Sequence, residues 1–81
     1  MSEQTPRVEL DARGLNCPMP LLKLKQQLNR MSAGQAIRVL TTDPGSVGDF
    51  IAFVGLAGHK IHEQSEQNGE YLFIIEKRAD S

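Results

Sequence analysis

The run Cys17-Pro18-Met19-Pro20 fixes the point at which a helix can begin in this chain of 81 residues. Proline is tolerated in the first turn of a helix, where its missing N–H would have no partner, but it disrupts a helix further along. Apolar residues then recur at intervals of three and four, the spacing of one helical face. These residues are Leu21, Leu24, Leu28 and Met31. The pattern predicts a helix that begins directly after Cys17 and stops at Gly34.

Cys17 is the only cysteine in the sequence. A lone thiol cannot form an intramolecular disulfide, so the sequence excludes a disulfide-stapled fold and an internal dithiol redox couple. At the start of a helix, unpaired N–H groups and the helix dipole favour an anion, and the thiolate is the reactive form of cysteine. The alternative is a small buried hydrophobe, the usual state of a free cysteine. The flanking prolines favour a functional thiol at the start of the helix.

Two strands and a second helix surround this first helix in the sequence. Residues 7–11 alternate between polar and apolar, which predicts a strand buried on one face, and residues 36–41 predict a second strand. Asp43-Pro44 is typical of an N-cap followed by proline at the first helical position, and Gly58 is typical of a helix end. The apolar face expected for the second helix consists of Val47, Phe50, Ile51 and Val54.

A hairpin completes the predicted fold. Asn68-Gly69 is the preferred pair for a two-residue turn, because both positions need positive φ. Residues 59–66 are largely polar and predict a weak edge strand, whereas residues 71–75 are nearly all apolar and predict a central one. The order is β-α-β-α-β-β, and right-handed crossovers place both helices on one face of the sheet. We predict a two-layer α/β sandwich, one domain over residues 1–81 with an ordered core at about 7–78.

Composition narrows the classes of function. A net charge of −1 argues against binding nucleic acid through a broad basic surface. No apolar stretch is long enough to span a membrane, and residues 1–6 lack the basic and apolar parts of a signal peptide. Together with the unpaired cysteine, these features predict a cytoplasmic protein. His59 and His62 are expected on opposite faces of a strand with no cysteine and carboxylate cluster beside them, so we expect no metal site.

The motif Asp11-x-Arg13-Gly14-Leu15-x-Cys17-Pro18-x-Pro20, followed by Asp43-Pro44 and Asp49, resembles the TusA/SirA-like sulfur-carrier family. The likeness runs from about Val8 to Lys77. It implies a mixed four-stranded sheet with two helices on one face, in agreement with the order of elements given above. It also implies that Cys17 is the catalytic residue of a sulfurtransferase. The sulfur would be carried covalently as a persulfide, without a cofactor.

The resemblance further implies two protein partners for a monomeric carrier. One is a persulfide donor such as a cysteine desulfurase, and the other is an acceptor protein in a relay towards 2-thiouridine in tRNA or a related sulfur pathway. Asn16 stands beside the thiol where many family members have a charged residue, and this change bears on partner choice. We expect partner contacts at Asn16, Met19 and Lys23. The alternative function is a protein-binding or thiol-based regulatory module without sulfur transfer.

Motif residues around the thiol are expected to position it. These are Arg13, Gly14, Pro18 and Pro20. The two prolines remove N–H donors, so we expect moderate activation of the thiolate by the helix dipole, helped by the N–H of Met19. Arg13 is the nearest cation in the preceding loop, and it either supports the thiolate or pairs with Asp11.

The first predicted helix is basic, with Lys23, Lys25 and Arg30 and no acidic residue between Pro18 and Asp43. Such a face is either simply solvated or orients acidic partner surfaces. In the second helix, Asp43 is expected to be a cap rather than a catalytic acid. For Asp49 the sequence leaves two roles open, a place on the polar helix face or a role in the site.

Overall fold

The structure is a computed structural model that describes residues 8–79. Arg7, with which the first predicted strand begins, and the terminal residues 1–6, 80 and 81 lie outside the described part. The elements are β1 (Val8–Ala12), α1 (Met19–Arg30), β2 (Ala36–Thr41), α2 (Pro44–Ala57), β3 (Lys60–Gln67) and β4 (Glu70–Glu76). The predicted order of strands and helices is confirmed.

The four strands form one mixed sheet in the order β1-β2-β4-β3. β1 and β2 run parallel because α1 connects them as a crossover, whereas β4 is antiparallel to both of its neighbours, β2 and β3. The apolar β4 is therefore central and the polar β3 is an edge strand, as predicted. In the turn between them, Asn68 has φ 55° and Gly69 has φ 79°, the two positive values that the hairpin requires.

Both helices cover the same face of the sheet, which confirms the two-layer architecture. Alternate residues of the central strands point into the core, and each helix adds residues spaced four apart. The fully buried side chains at the centre are Leu24 and Leu28 of α1, Ile37 and Val39 of β2, Phe50 of α2, and Phe73 and Ile75 of β4. The rings of Phe50 and Phe73 meet edge to face with centroids 5.2 Å apart. Each such side chain contributes about 1.5–3 kcal/mol by its burial.

Two sequence predictions about the helices are wrong in detail. Ile51 is 44% exposed, because the buried stripe of α2 runs through Ser46, Phe50 and Val54, four residues apart, and Ile51 lies 100° away from it. α1 ends at Arg30 rather than near Gly34. Met31 is buried as predicted, but it reaches the core from an extended backbone.

The topology sets the position of the polar loops. Because β1 and β2 are parallel neighbours, their carboxyl ends lie at the same edge of the sheet. The loop that carries Cys17 and the loop that opens α2 therefore meet there. Neither helix within residues 8–79 is long and apolar enough to cross a membrane.

Candidate functional site

The loop between β1 and α1 is held by backbone hydrogen bonds. Gly14 adopts φ 81°, a conformation that suits glycine, and its N–H donates to Thr42 Oγ1 at 2.9 Å. The N–H of Leu15 donates to the carbonyl of Ala12 at 3.3 Å. The loop that precedes the thiol is thus hydrogen-bonded to residues at the ends of both parallel strands. The motif glycine, Gly14, makes one of these two bonds.

Cys17 is exposed at the end of this loop, directly before the first residues of α1. This exposure contradicts the alternative of a buried structural thiol. The Cys17–Pro18 peptide bond is cis, Pro18 occupies the N-cap position, and Pro20 in the first turn is buried. The predicted start of the helix is confirmed.

No side chain caps the N-terminus of α1 in the described structure. Pro18 and Pro20 have no N–H, and the N–H of Met19 donates to the carbonyl of Asn16 at 2.8 Å. The N–H of Met19, which was expected to stabilise the thiolate, is therefore engaged within the loop. The helix start supplies less stabilisation of an anion than its position suggests.

Asp43 connects the thiol loop to the start of α2. Its Oδ1 accepts a hydrogen bond from the N–H of Gly45 at 3.3 Å, so the predicted N-cap is confirmed. Its Oδ2 accepts two more, from the N–H of Cys17 at 2.9 Å and from the hydroxyl of Ser46 at 3.2 Å. The bond to Cys17 was not predicted, since it depends on how the two loops meet in space.

Asp49 contacts the thiol itself. The thiol of Cys17 donates to Oδ2 of Asp49, with 3.3 Å between sulfur and oxygen. Of the two roles left open for Asp49, the structure favours a place in the site. The signal available in sequence was an acidic residue six positions beyond the N-cap of a helix whose start faces the cysteine loop.

The electrostatics of the thiol are the reverse of the sequence expectation. The hydrogen bond to Asp49 raises the pKa of Cys17 above its ordinary value, and partial desolvation and the charges of Asp49 and Asp43 raise it further. Two carboxylates outweigh a helix start at which Pro18 and Pro20 have no N–H and the N–H of Met19 is engaged. The free thiol is therefore held in its protonated form.

Arg13 pairs with Asp11 instead of approaching the thiol. Its guanidinium binds both carboxylate oxygens of Asp11 at 2.9 Å and lies 3.5 Å from Glu70 Oε2. This pair lowers the pKa of Asp11 to about 2 and raises that of Arg13. No hydrogen bond within residues 8–79 joins Arg13 to Cys17. Of the two alternatives for Arg13, the structure shows the ion pair.

The surface beside the thiol is partly apolar. Met19 is 41% exposed and Leu22 is 43% exposed on α1, and of this pair only Met19 is predicted from the sequence as a partner contact. Asn16 and Lys23 are exposed next to them. Their expected contacts with partners stay predictions.

Two histidines have separate partners outside the thiol loop. His59 Nδ1 accepts the N–H of Arg78 at 3.0 Å, and His62 Nε2 lies 2.6 Å from Glu76 Oε1. Within the described residues, no group of three or more histidine, cysteine, aspartate or glutamate side chains is arranged to hold a metal ion. The candidate site therefore consists of Cys17 with Asp43 and Asp49.

Comparison with known proteins finds related sequences over most of the chain. Residues 8–77 match the family model described as sulfurtransferase TusA. The chain is 52% identical over 69 residues to a sulfur carrier protein TusA of Allochromatium vinosum, covering 85% of this chain and 91% of that protein. It is 40% identical over 80 residues to a sulfur carrier protein TusA of Pseudomonas putida, covering 99% of this chain and all of the relative.

A solved structure shares the fold. The crystal structure of a SirA-like protein from Desulfitobacterium hafniense superimposes with a TM-score of 0.78 and 26% sequence identity. The match covers 88% of this chain and 97% of that one. Two helices on one face of a mixed four-stranded sheet are thus a known arrangement.

Proposed function

Because this chain belongs to the TusA sulfurtransferase family, we propose that it is a sulfur carrier that accepts sulfane sulfur on Cys17 as a persulfide. The observation that supports this most directly is the position of the thiol. Cys17 is exposed, it is the only cysteine of the sequence, and it stands at the start of α1 within the family motif. A partner protein can therefore reach the sulfur without any opening of the fold.

The loading step is an exchange between two sulfur atoms. Sγ of Cys17 attacks the terminal sulfur of a donor persulfide, the donor S–S bond breaks, and a new S–S bond forms on Cys17. The thiol proton of Cys17 leaves as Sγ attacks, and the donor departs with its thiol restored. One Cys17 thiol and one donor persulfide give one Cys17 persulfide and one donor thiol, with no net oxidation.

Unloading repeats the exchange with an acceptor. An acceptor thiolate attacks the terminal sulfur on Cys17, and the Cys17 thiolate leaves and is protonated. The sequence has no second cysteine that could attack the persulfide from within the chain. Loaded carrier therefore keeps its sulfur until another molecule supplies the acceptor.

Donor and acceptor are proposed as proteins. The donor is a cysteine desulfurase or another persulfide-bearing protein, and the acceptor is a relay protein leading to tRNA 2-thiouridine or a related sulfur product. The carrier is proposed to act in the cytoplasm as a monomer. Exposed Asn16, Met19 and Lys23 beside the thiol are the proposed partner contacts, and direct contact with nucleic acid is not required.

Intact-mass measurement tests the proposal. The protein is incubated with a cysteine desulfurase and cysteine, and its mass is compared before and after treatment with a reductant. We expect a gain of one sulfur atom that reduction removes. A protein that gains no sulfur from several persulfide donors, but forms a mixed disulfide with glutathione under oxidation, would be the thiol-based regulatory module instead.

A further inference from the structure

We propose that Asp49 is a positioning residue of the carrier, which accepts the hydrogen of the free Cys17 thiol, directs Sγ towards α2 and restrains its reaction with small electrophiles. The biological meaning of this restraint rests on the sulfur-carrier function proposed above. In that setting, a thiol that reacts slowly when free avoids unproductive exchange between encounters with its partners.

Two carboxylates hold Cys17, one from the cap residue of α2 and one from within α2. Asp43 Oδ2 holds the backbone N–H of Cys17 at 2.9 Å, and Asp49 Oδ2 receives the thiol at 3.3 Å. The backbone and the side chain of the cysteine are thus fixed by different carboxylates of the same region. With its backbone tethered in this way, the thiol donates its hydrogen bond to Asp49, and this bond sets the direction of the side chain.

The charges that face the thiol are negative on the α2 side and not balanced by cations from the other elements. Asp43 and Asp49 come from the loop before α2 and from α2 itself. The first turn of α1 carries no ionisable side chain, since its first charged residue is Lys23. Arg13 in the β1–α1 loop is occupied by Asp11 and Glu70. Ionisation of Cys17 would therefore add a negative charge beside those of Asp43 and Asp49, which agrees with the raised pKa of its thiol.

Asp49 can be separated from the structural role of Asp43. The carboxylate oxygens of Asp43 accept three hydrogen bonds, and two of them, from Gly45 and Ser46, belong to the start of α2. Within residues 8–79, the side chain of Asp49 makes one hydrogen bond, which it accepts from the thiol of Cys17. It also lies beyond the first turn of α2, where its side chain caps nothing. A neutral substitution at Asp49 therefore changes the electrostatic environment of the thiol and leaves the cap of α2 in place.

The test uses the variant Asp49→Asn, which removes the charge and keeps the size of the side chain. The rate of alkylation by iodoacetamide, a neutral reagent that reacts with the thiolate, is measured across a pH range. Because the chain has one cysteine, the rate belongs to Cys17 alone. Glu66→Gln, which removes one carboxylate from the exposed edge strand β3, is the matched control.

We expect the alkylation profile of Asp49→Asn to move to lower pH, with a severalfold faster reaction at neutral pH. The profile of Glu66→Gln should coincide with that of the unmodified protein, and Asp49→Glu should restore slow alkylation. If the profile of Asp49→Asn is unchanged, or moves to higher pH, the proposal is wrong. Should Asp49→Asn fail to fold, Asp49→Ser removes the same charge with a smaller side chain and is judged by the same criterion.

This experiment is independent of sulfur transfer. A protein that never accepts sulfur but shows the shifted profile in Asp49→Asn contradicts the proposed function and supports the role of Asp49. A protein that loads sulfur normally, with alkylation indifferent to Asp49, contradicts only the role of Asp49.

Discussion

The two helices begin with the same proline signal but in opposite chemical surroundings. α2 starts at Pro44 with an acidic cap, Asp43, whose carboxylate binds the N–H of Gly45. α1 starts beside Pro18 and Pro20 with no side-chain cap, and its exposed neighbour is a thiol. We call the start of α2, which has a side-chain cap, the closed start. The start of α1, which has no side-chain cap and lies next to the thiol, is the open start.

The comparison shows that position at a helix start does not by itself activate a cysteine. A helix N-terminus stabilises an anion through free N–H groups, and α1 has few of these to offer. Asp43 at the start of α2 binds the backbone N–H of Cys17, and Asp49 further along the same helix binds its thiol. The carboxylates of α2 and its cap thus determine the chemistry of the cysteine at the start of α1.

The largest effect expected at the open start comes from Cys17→Ser. The serine hydroxyl cannot carry a persulfide, so we expect complete loss of sulfur loading, measured by intact mass after incubation with a cysteine desulfurase. Because the Cys17 side chain is exposed, the free energy of unfolding should change by less than about 0.5 kcal/mol. Sulfur retained in the serine variant would assign the loading site to another residue.

A large loss of stability is expected at the closed start. Asp43→Ala removes an N-cap together with the bonds to Cys17 and Ser46, and we expect a decrease of about 2 kcal/mol in the free energy of unfolding. Asp49→Asn, six residues along α2, should change stability by less than about 0.5 kcal/mol. Urea unfolding of both variants measures the difference. Equal losses would mean that the two carboxylates share one structural role.

A smaller effect is expected from the charge beside the open start. Lys23 is exposed on the second turn of α1, so Lys23→Glu should slow sulfur transfer between proteins severalfold and change its dependence on salt. Alkylation of Cys17 by a small neutral reagent should change much less, since that reagent has no charged surface to align.

Lys60→Glu provides the matched charge reversal for this measurement. Lys60 is exposed on β3, the strand farthest from β1 in the sheet. Its reversal to glutamate should therefore leave the transfer rate unchanged. If both reversals slow transfer equally, net charge rather than the face of α1 guides the partner. If neither has an effect, the basic face is simply solvated.

Local patterns predicted the fold well because they report on local physics. Proline at a first helical turn, a capping aspartate and the Asn68-Gly69 turn each act within a few residues, and all three are observed. The end of α1 was misplaced because Met31 is apolar and buried whether its backbone is helical or extended. Periodicity therefore could not locate the last turn.

The candidate site was only partly predictable because it joins distant segments. Cys17 and its motif could be selected from sequence, but its contact with Asp49 spans 32 positions of the chain. The direction of the thiol pKa shift depends on that contact. The start of α1 alone therefore predicts a lowered pKa, whereas the pKa of Cys17 is raised. Arg13 shows the same difficulty: its two possible partners could be named, and geometry decided between them.

The smallest effect is expected at Arg13, which forms an ion pair with Asp11 rather than a contact with the thiol. The ion pair depresses the pKa of Asp11 in the folded protein to about 2 from an ordinary value of 3.8. Its contribution to stability is therefore complete above pH 3.8 and is lost as the pH falls towards 2. Both side chains are well exposed, so this contribution is small.

Arg13→Gln tests whether this pair is independent of the open helix start. Carboxyl NMR titration should show the midpoint of Asp11 rising from about 2 towards 3.8, because the bidentate guanidinium is gone. Arg38→Gln, which removes the neighbouring pair with Glu9, should leave the Asp11 midpoint in place. The alkylation profile of Cys17 should be the same in both variants, since neither arginine is among the groups that shift its pKa. A Cys17 profile that moves to higher pH in Arg13→Gln alone would show that Arg13 stabilises the thiolate after all, and the open helix start would then be activated by a cation that the resting geometry keeps on Asp11.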